Sequence, residues 1–306
     1  MNTNLTIEQR WEELRVNSVI YDRSDANYDF EDEPDLPSLQ IVKPSVKVRA
    51  SSLAGLFDCP ARWAAIHIDG KRTPSSSRVT LGKAVHASTA VYDQSVLDGA
   101  GLTIDEAAAA AVDAIHKPDE EVEWEDEQPS EIEKIAIDLH KKYCTVIAPT
   151  QTYQAVEIAC DSLHLSDLNI TLTGTTDRIR LKDDQSSIVD IKTGRTAVRA
   201  DGIVETKGHA YQLGVYELLA EYASGMPING PAQIVGLNAG KTEKGQRVGT
   251  AEVSEARSVL IGDEETPGVL RTAANIIHAG DFWGNPRSMM CGDKYCPIYK
   301  NCNFRK

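Results

Sequence analysis

The 306-residue chain has no apolar run approaching the roughly 18 residues that a membrane helix needs. Its opening, MNTNLTIEQRWEEL, has neither the basic nor the apolar region of an export signal. A protein of the cytoplasm with no membrane contact is expected. No internal repeat of a solenoid or propeller and no low-complexity tract beyond its acidic runs is visible. Positive charge is in short supply: 32 Lys and Arg stand against 46 Asp and Glu, a formal net charge of -14. That deficit speaks against a protein that coats nucleic acid over its whole surface. The acidity is local, however, concentrated in residues 21–35 and 119–127. Charges more than about 8 Å apart across solvent are largely screened at physiological ionic strength. Both stretches read as solvated runs held away from a cleft, with partner binding or DNA mimicry as the alternative.

What is present is enough apolar sequence, 41% of residues, to bury a substantial core. Residues 1–44 combine acidic runs with DEPDLPSLQIVKP and read as a partly disordered arm after a short helix at Ile7 to Arg15. The domain is expected to occupy residues 45–306. Its first half is helical: a capped segment from Ser51 interrupted by a Cys-Pro step, then Val79 to Leu97, Thr103 to His116 and Ser130 to Ile147. The period then changes. YQAVEIAC, NITLTGTTDRIRL and SSIVDIKTG are short, β-branched and alternating, as strands are. A helix in KGHAYQLGVYELLAEYAS, two strands in PAQIVGLNAG and GQRVGTAEV, and a closing helical region follow. The sum is an α/β fold with a mixed central β-sheet flanked by helices.

Within the strands, Asp177 ends GTTD, and Asp190 and Lys192 lie two apart in VDIKTG, so the latter two share one face. Across a hairpin Asp177 can stand opposite them. Two converging carboxylates make a hard oxygen site for Mg²⁺ or Mn²⁺, and a neighbouring lysine can position water or steady a phosphate. Each element alone has an ordinary reading: a solvated Asp-Lys pair, a packed helix histidine at His86, or Gln212 and Tyr216 as plain helix positions.

Taken in order, LGKAVH, GTTDRI, IVDIKTG and QLGVY resemble the RecB-like branch of the PD-(D/E)XK nucleases. That branch includes the AddB-type nucleases and the iron–sulfur nucleases of CRISPR adaptation. The resemblance runs from about Ser51 to Cys302 and implies a restriction-endonuclease-like core. It implies His86, Asp177 and Asp190 as metal ligands, joined by the Ile191 carbonyl, with Lys192 as catalytic lysine and Gln212 and Tyr216 beside it. The implied activity is metal-dependent DNA hydrolysis, expected as exonuclease digestion favouring single-stranded ends in recombination, repair or the processing of foreign DNA. A structure-specific endonuclease, or a noncatalytic DNA-binding or interaction module, is the alternative. Lys192, Arg195, Arg199 and Lys207, with Arg178 and Arg180, are candidates to track phosphates, and the acidic arm is a candidate for a protein partner. Glu157, on the strand before the hairpin, reads as a structural or outer-shell residue.

Six cysteines without an export signal point to metal ligation or inert burial rather than disulfides. Cys291, Cys296 and Cys302 are separated by four and five residues, and Cys59 lies far upstream. One cysteine before the core and three after it resemble the arrangement in the iron–sulfur nucleases, which implies a [4Fe–4S] cluster joining the N- and C-terminal segments. The spacing departs from their commoner C-x-x-C-x5-C triplet, so zinc on four thiolates stays open. Cys144 and Cys160 fall in apolar segments and read as buried, inert thiols.

Overall fold

The computed structural model describes residues 45–305. The acidic arm and the helix expected at Ile7 to Arg15 lie outside them.

β1 (Val46–Arg49) leads through a single 3-10 turn (Ala50–Ser52) into α1 (Leu53–Asp58) and α2 (Pro60–His67). The Cys-Pro step separates these two helices: Cys59 is extended at φ -150°, and Pro60 starts the second helix where its missing N–H costs nothing. α3 (Ser77–Asp98) begins on the Ser76 hydroxyl, which accepts from the Val79 N–H, and ends on the left-handed Gly99. α4 (Ile104–His116) opens with a Thr103–Glu106 capping box. α5 (Pro129–Lys142) runs into a widened π turn (Tyr143–Ile147), so the helix expected to reach Ile147 loses regular spacing five residues early.

The sheet follows. β4 (Tyr153–Leu165), β5 (Ile170–Lys182) and β6 (Gln185–Gly194) form an antiparallel meander, α6 (Ala210–Ser224) crosses over, and β7 (Ala232–Asn238) pairs parallel to β6. β8 (Val248–Val253) closes the far edge, antiparallel to β7. The single closing helical region expected from the sequence is two helices, α7 (Ala256–Ile261) and α8 (Val269–Ala279). The break lies at GDEETPG, where Gly262 is left-handed and a side chain on it would lie 2.3 Å from the Gly268 nitrogen. A two-residue parallel pair, β2 (Ser75–Ser76) with β3 (Val122–Glu123), ties the acidic segment to the start of α3.

Apolar side chains alternate between two clusters, one on each sheet face. Ile188 packs with Leu213 and Leu219 of α6 and with α1, α7 and α8, whereas Val189 and Ile191 pack with Leu81, Val85, Ile135 and Leu139 of α3 and α5. Helices thus flank a mixed sheet, as expected.

One topological feature positions everything below. β5 is paired with β4 along one edge, but its other edge is shared. Ile170–Thr173 pair with β1, and Arg178–Lys182 pair with β6. Between Thr173 and Arg178 the two partner strands part, leaving a fork in the sheet. β1 was not foreseen from sequence, since four residues offer too little alternation to read as a strand.

The buried α6 residue Glu217 lies 3.6 Å from Arg257 of α7. Burial pushes its carboxyl up to about 7 against the opposing pull of Arg257. From about pH 4.5 to 7 the unfolded chain releases this proton while the folded chain holds it, so stability falls as pH rises through that window. The full cost above it is about 3 kcal/mol. Glu217→Gln is therefore expected to gain stability relative to the parent by up to that amount between pH 4.5 and 8 in urea melts. Parallel pH profiles for the two proteins would rule this out.

Candidate active site

Arg178 pairs with Val189, which sets Asp177 opposite Asp190 at the mouth of the fork. Both carboxylates are buried. Because β6 no longer pairs with β5 beyond this point, the Ile191 N–H has no strand partner there, and Asp177 Oδ2 accepts it at 2.7 Å. The N–H and C=O of one strand residue lie on the same edge, so the Ile191 carbonyl faces the fork as well. From α3, His86 Nδ1 stands 3.4 Å from Asp177 Oδ1.

Lys192 projects from the same face as Asp190, its Nζ 2.7 Å from Asp190 Oδ2. The contact is an ion pair, and that buried oxygen has no hydrogen-bond partner besides it. The same Nζ donates to Gln212 Oε1 at 2.9 Å, and Gln212 Nε2 donates to the Tyr216 hydroxyl at 2.8 Å. Gln212 and Tyr216, four apart on α6, form one face of the helix that supports the lysine. Gly174 makes room for this: a Cβ there would lie 3.2 Å from Tyr216 Cε1 and 3.1 Å from Leu219 Cδ1.

The electrostatics are those of crowded carboxylates. Burial pushes Asp190 up to about 6; Lys192 opposes the shift and the Asp177 charge adds to it. Burial also works on Asp177, but His86, the Ile191 N–H and Arg178 outweigh it and hold the carboxyl below its ordinary value. Burial would lower His86, yet the charges of Asp177 and Asp190 carry it above the usual histidine value. The Tyr216 phenol is raised by burial and by the same two aspartates.

The donor set fits a divalent cation. It comprises two carboxylates, an imidazole and a main-chain carbonyl facing one fork, with one buried carboxylate oxygen lacking a hydrogen bond. Among the described residues, no three His, Cys, Asp or Glu side chains stand in finished ligand geometry. His86 and Lys192 instead rest against the carboxylates.

Outside this fork opens a cleft of about 1120 Å³, lined by His86, Ile191, Lys192, Tyr216 and Glu157 together with Arg49, Lys83 and Lys117. Glu157 is left-handed at φ 53°, in mid-strand across from Asp177. Of the six cations expected to track phosphates, Lys192 lines the cleft and Arg195, Arg199 and Lys207 are exposed. Arg178 and Arg180 are not: they are 0% and 4% exposed and bound to Asp93 and Glu252. Alternation along β5 sends Arg178 to the α3 face, where no nucleic acid can reach it.

The acidic stretch 119–127 also departs from expectation. Rather than standing clear of the cleft, it carries Asp119 and Glu120 into the lining. Glu120 pairs with Lys83, Glu125 with Lys294 at 2.6 Å, and Glu127 with Arg78 and, at 3.8 Å, Lys241. Composition alone could not reveal as its partners cations drawn from α3 and two distant loops.

Cys59, Cys291, Cys296 and Cys302 line one small cavity between the start of α2 and the C-terminal segment, although 231 residues separate the first two. The Asn285 N–H donates to Cys59 Sγ at 3.4 Å. Burial raises the Cys296 thiol, with Arg62 opposing and Cys59 and Cys302 adding. The four cysteines thus share one lining, but among the described residues they do not stand in finished metal-ligand geometry. Cys144 and Cys160 lie elsewhere, buried, and burial pushes the Cys144 thiol up to about 12.

A model of the PD-(D/E)XK nuclease superfamily matches residues 48–303. No curated protein matches. Among 17 matching chains of solved structures is the crystal structure of SSO0001, 17% identical, with 88% of this chain and 91% of that one covered and a TM-score of 0.39. No helix among the described residues is long and apolar enough to cross a membrane.

Proposed function

The chain belongs to the PD-(D/E)XK nuclease superfamily, and from that premise we propose that it is a divalent-metal-dependent deoxyribonuclease digesting DNA from its ends, with single strands favoured. The observation that carries this reading is the fork, where Asp177 and Asp190 stand opposite each other with His86 and Lys192 against them, beside a cleft lined by His86, Ile191 and Lys192.

In this proposal His86, Asp177, Asp190 and the Ile191 carbonyl hold Mg²⁺ or Mn²⁺. The bound ion supplies Lewis acidity at the phosphate and lowers the pKa of attacking water. Lys192 is held at the cleft by Gln212, its ammonium free to turn from Asp190 toward a phosphate oxygen or the incoming water. Gln212 is oriented in turn by Tyr216. Single strands suit the site because they enter a narrow fork without a second strand to displace. Arg195, Arg199 and Lys207 remain as surface cations for the backbone.

The domain is proposed to begin at residue 45, with the cytoplasm as its location and a partner for the acidic arm. The cysteine cavity is proposed to hold a [4Fe–4S] cluster that staples the chain after α1 to its C-terminal segment, zinc being the alternative.

The test is digestion of 5′- and 3′-labelled single- and double-stranded DNA, linear and circular, with Mg²⁺ or Mn²⁺. Shortening of linear DNA with circles intact supports end-directed cleavage. Cutting of circles would replace that reading by an endonuclease. Binding without cleavage under every metal would leave only the noncatalytic module.

The acidic segment adds a further expectation. Replacing Glu120 and Glu127 by Gln releases Lys83 and Arg78. DNA binding measured in EDTA should tighten several-fold at low salt, with a steeper decline as salt rises, because more counterions are displaced per complex. An unchanged affinity and slope would show that these cations do not meet DNA.

A further inference from the structure

We propose that the buried Arg178–Asp93 pair is a positioning device that sets the spacing between His86 and Asp177, an inference resting on the metal-nuclease reading above. Arg178 lies on β5 directly after Asp177, and its side chain is wholly buried. Its guanidinium reaches three structural elements at once. Nε donates to Asp93 Oδ2 at 2.7 Å, one terminal nitrogen to the Asp177 carbonyl at 2.7 Å and to Glu157 Oε1 at 3.3 Å, and the other to Thr89 Oγ1 at 3.3 Å.

Thr89 and Asp93 stand three and seven residues after His86, so all three occupy one face of α3. A single rigid fork therefore ties the histidine-bearing face of the helix to the backbone of the aspartate that the histidine meets. Behind it the Tyr143 hydroxyl donates to Asp93 Oδ2 at 2.5 Å and contacts the Tyr153 hydroxyl at 2.9 Å, which keeps the carboxylate from turning. The Thr89 hydroxyl donates to the Val85 carbonyl, leaving its lone pairs for the guanidinium.

Energetics favour a positional over a stabilising role. Desolvating two charges costs several kcal/mol each, and buried pairs are often replaced by apolar side chains with no loss of stability. What an apolar pair cannot reproduce is a donor fork with fixed directions. Groups that orient metal ligands typically alter metal affinity by about 10–100-fold when lost.

The experiment compares the parent with Arg178→Lys, Thr89→Val and the apolar double variant Arg178→Met with Asp93→Leu. Ile277→Ala, a buried position on α8, which carries none of the site residues, controls for destabilisation alone. Mn²⁺ affinity is read by titration calorimetry without DNA, alongside thermal melting and kcat and KM on labelled DNA. The expected result is a 10–100-fold loss of Mn²⁺ affinity in the double variant and in Arg178→Lys, and a smaller loss in Thr89→Val. In each the drop should fall on kcat at saturating DNA with KM nearly unchanged, while Ile277→Ala keeps parental Mn²⁺ affinity. Thr89→Val removes one acceptor without moving a charge and keeps the comparison open should the charge variants not fold. Parental Mn²⁺ affinity in any folded Arg178 variant overturns the proposal, as does parental affinity in Thr89→Val when it alone folds. A parent protein that neither binds Mn²⁺ nor cleaves DNA overturns the metal-nuclease reading itself, a distinguishable outcome.

Discussion

Asp190→Ala is expected to lower DNA cleavage by about 10³-fold or more, as befits loss of a group proposed to hold the ion that would stabilise the transition state. Its effect on stability should run the other way. Asp190 is buried, faces a second carboxylate, and is pushed up to about 6 by burial, so above that pH the folded state holds an ionised group it disfavours. A folded-state pKa raised by about two units means stability lost as pH rises through the interval from the unfolded value to the folded one. Asp190→Asn, which keeps shape and removes charge, should therefore melt at or above the parental temperature at pH 8 without added metal. Lys192→Ala should also cripple cleavage, by about 10²-fold, while leaving Mn²⁺ binding largely in place. Cleavage by either alanine variant at the parental rate would remove the assignment. A Lys192→Ala protein that fails to bind Mn²⁺ would instead move the lysine from chemistry to ligand support.

Replacing Cys296 by Ser is expected to have the largest structural effect. If the four cysteines hold one metal group, they close a loop of more than 200 residues. By analogy with covalent cross-links that closure contributes up to about 5 kcal/mol, an upper value that strain reduces. That is a large part of the roughly 5–15 kcal/mol by which folded proteins are stable. Anaerobically purified parent protein should show a visible absorbance band with bound iron, and Cys296→Ser should lose both and melt at a much lower temperature. Colourless protein with stoichiometric zinc would favour the alternative metal. Parental melting in a metal-free Cys296→Ser protein would reduce the cavity to four ordinary thiols. Cys160→Ser serves as the comparison, since its thiol lies on β4 and does not line that cavity.

Local order was legible because each element announces itself over a few residues. Thr103 with Glu106 marks a helix start, Cys59-Pro60 marks a break, and alternation in IVDIKTG marks a strand with Asp190 and Lys192 on one side. The spacing of Gln212 and Tyr216 likewise sets them on one helical face whatever surrounds that helix. None of these needs a distant residue to be true. The arginines show where such reasoning stops. GTTDRIRL displays Arg178 and Arg180 as two cations beside the site, and nothing local says that the face they share is buried, with Arg178 against Asp93 and Arg180 against Glu252. Asp93 was passed over for the same reason: its spacing from His86 was visible, but its partner lies 85 residues on.

The sequence by itself determined the chemistry at hand: two aspartates and a lysine on neighbouring strands, a histidine on a helix, and four cysteines divided between the ends of the domain. Only the tertiary structure decided how those groups meet. Pairing β5 with both β1 and β6 is a long-range event, and the fork it opens leaves the Ile191 N–H to Asp177 and seats Asp190 opposite. Burial then makes an ordinary carboxylate hard to ionise and an ordinary arginine a clamp. Charge shows the same division, for the acidic segment 119–127 is plain in composition, while the cations it pairs with come from α3 and two distant loops that only folding brings to it.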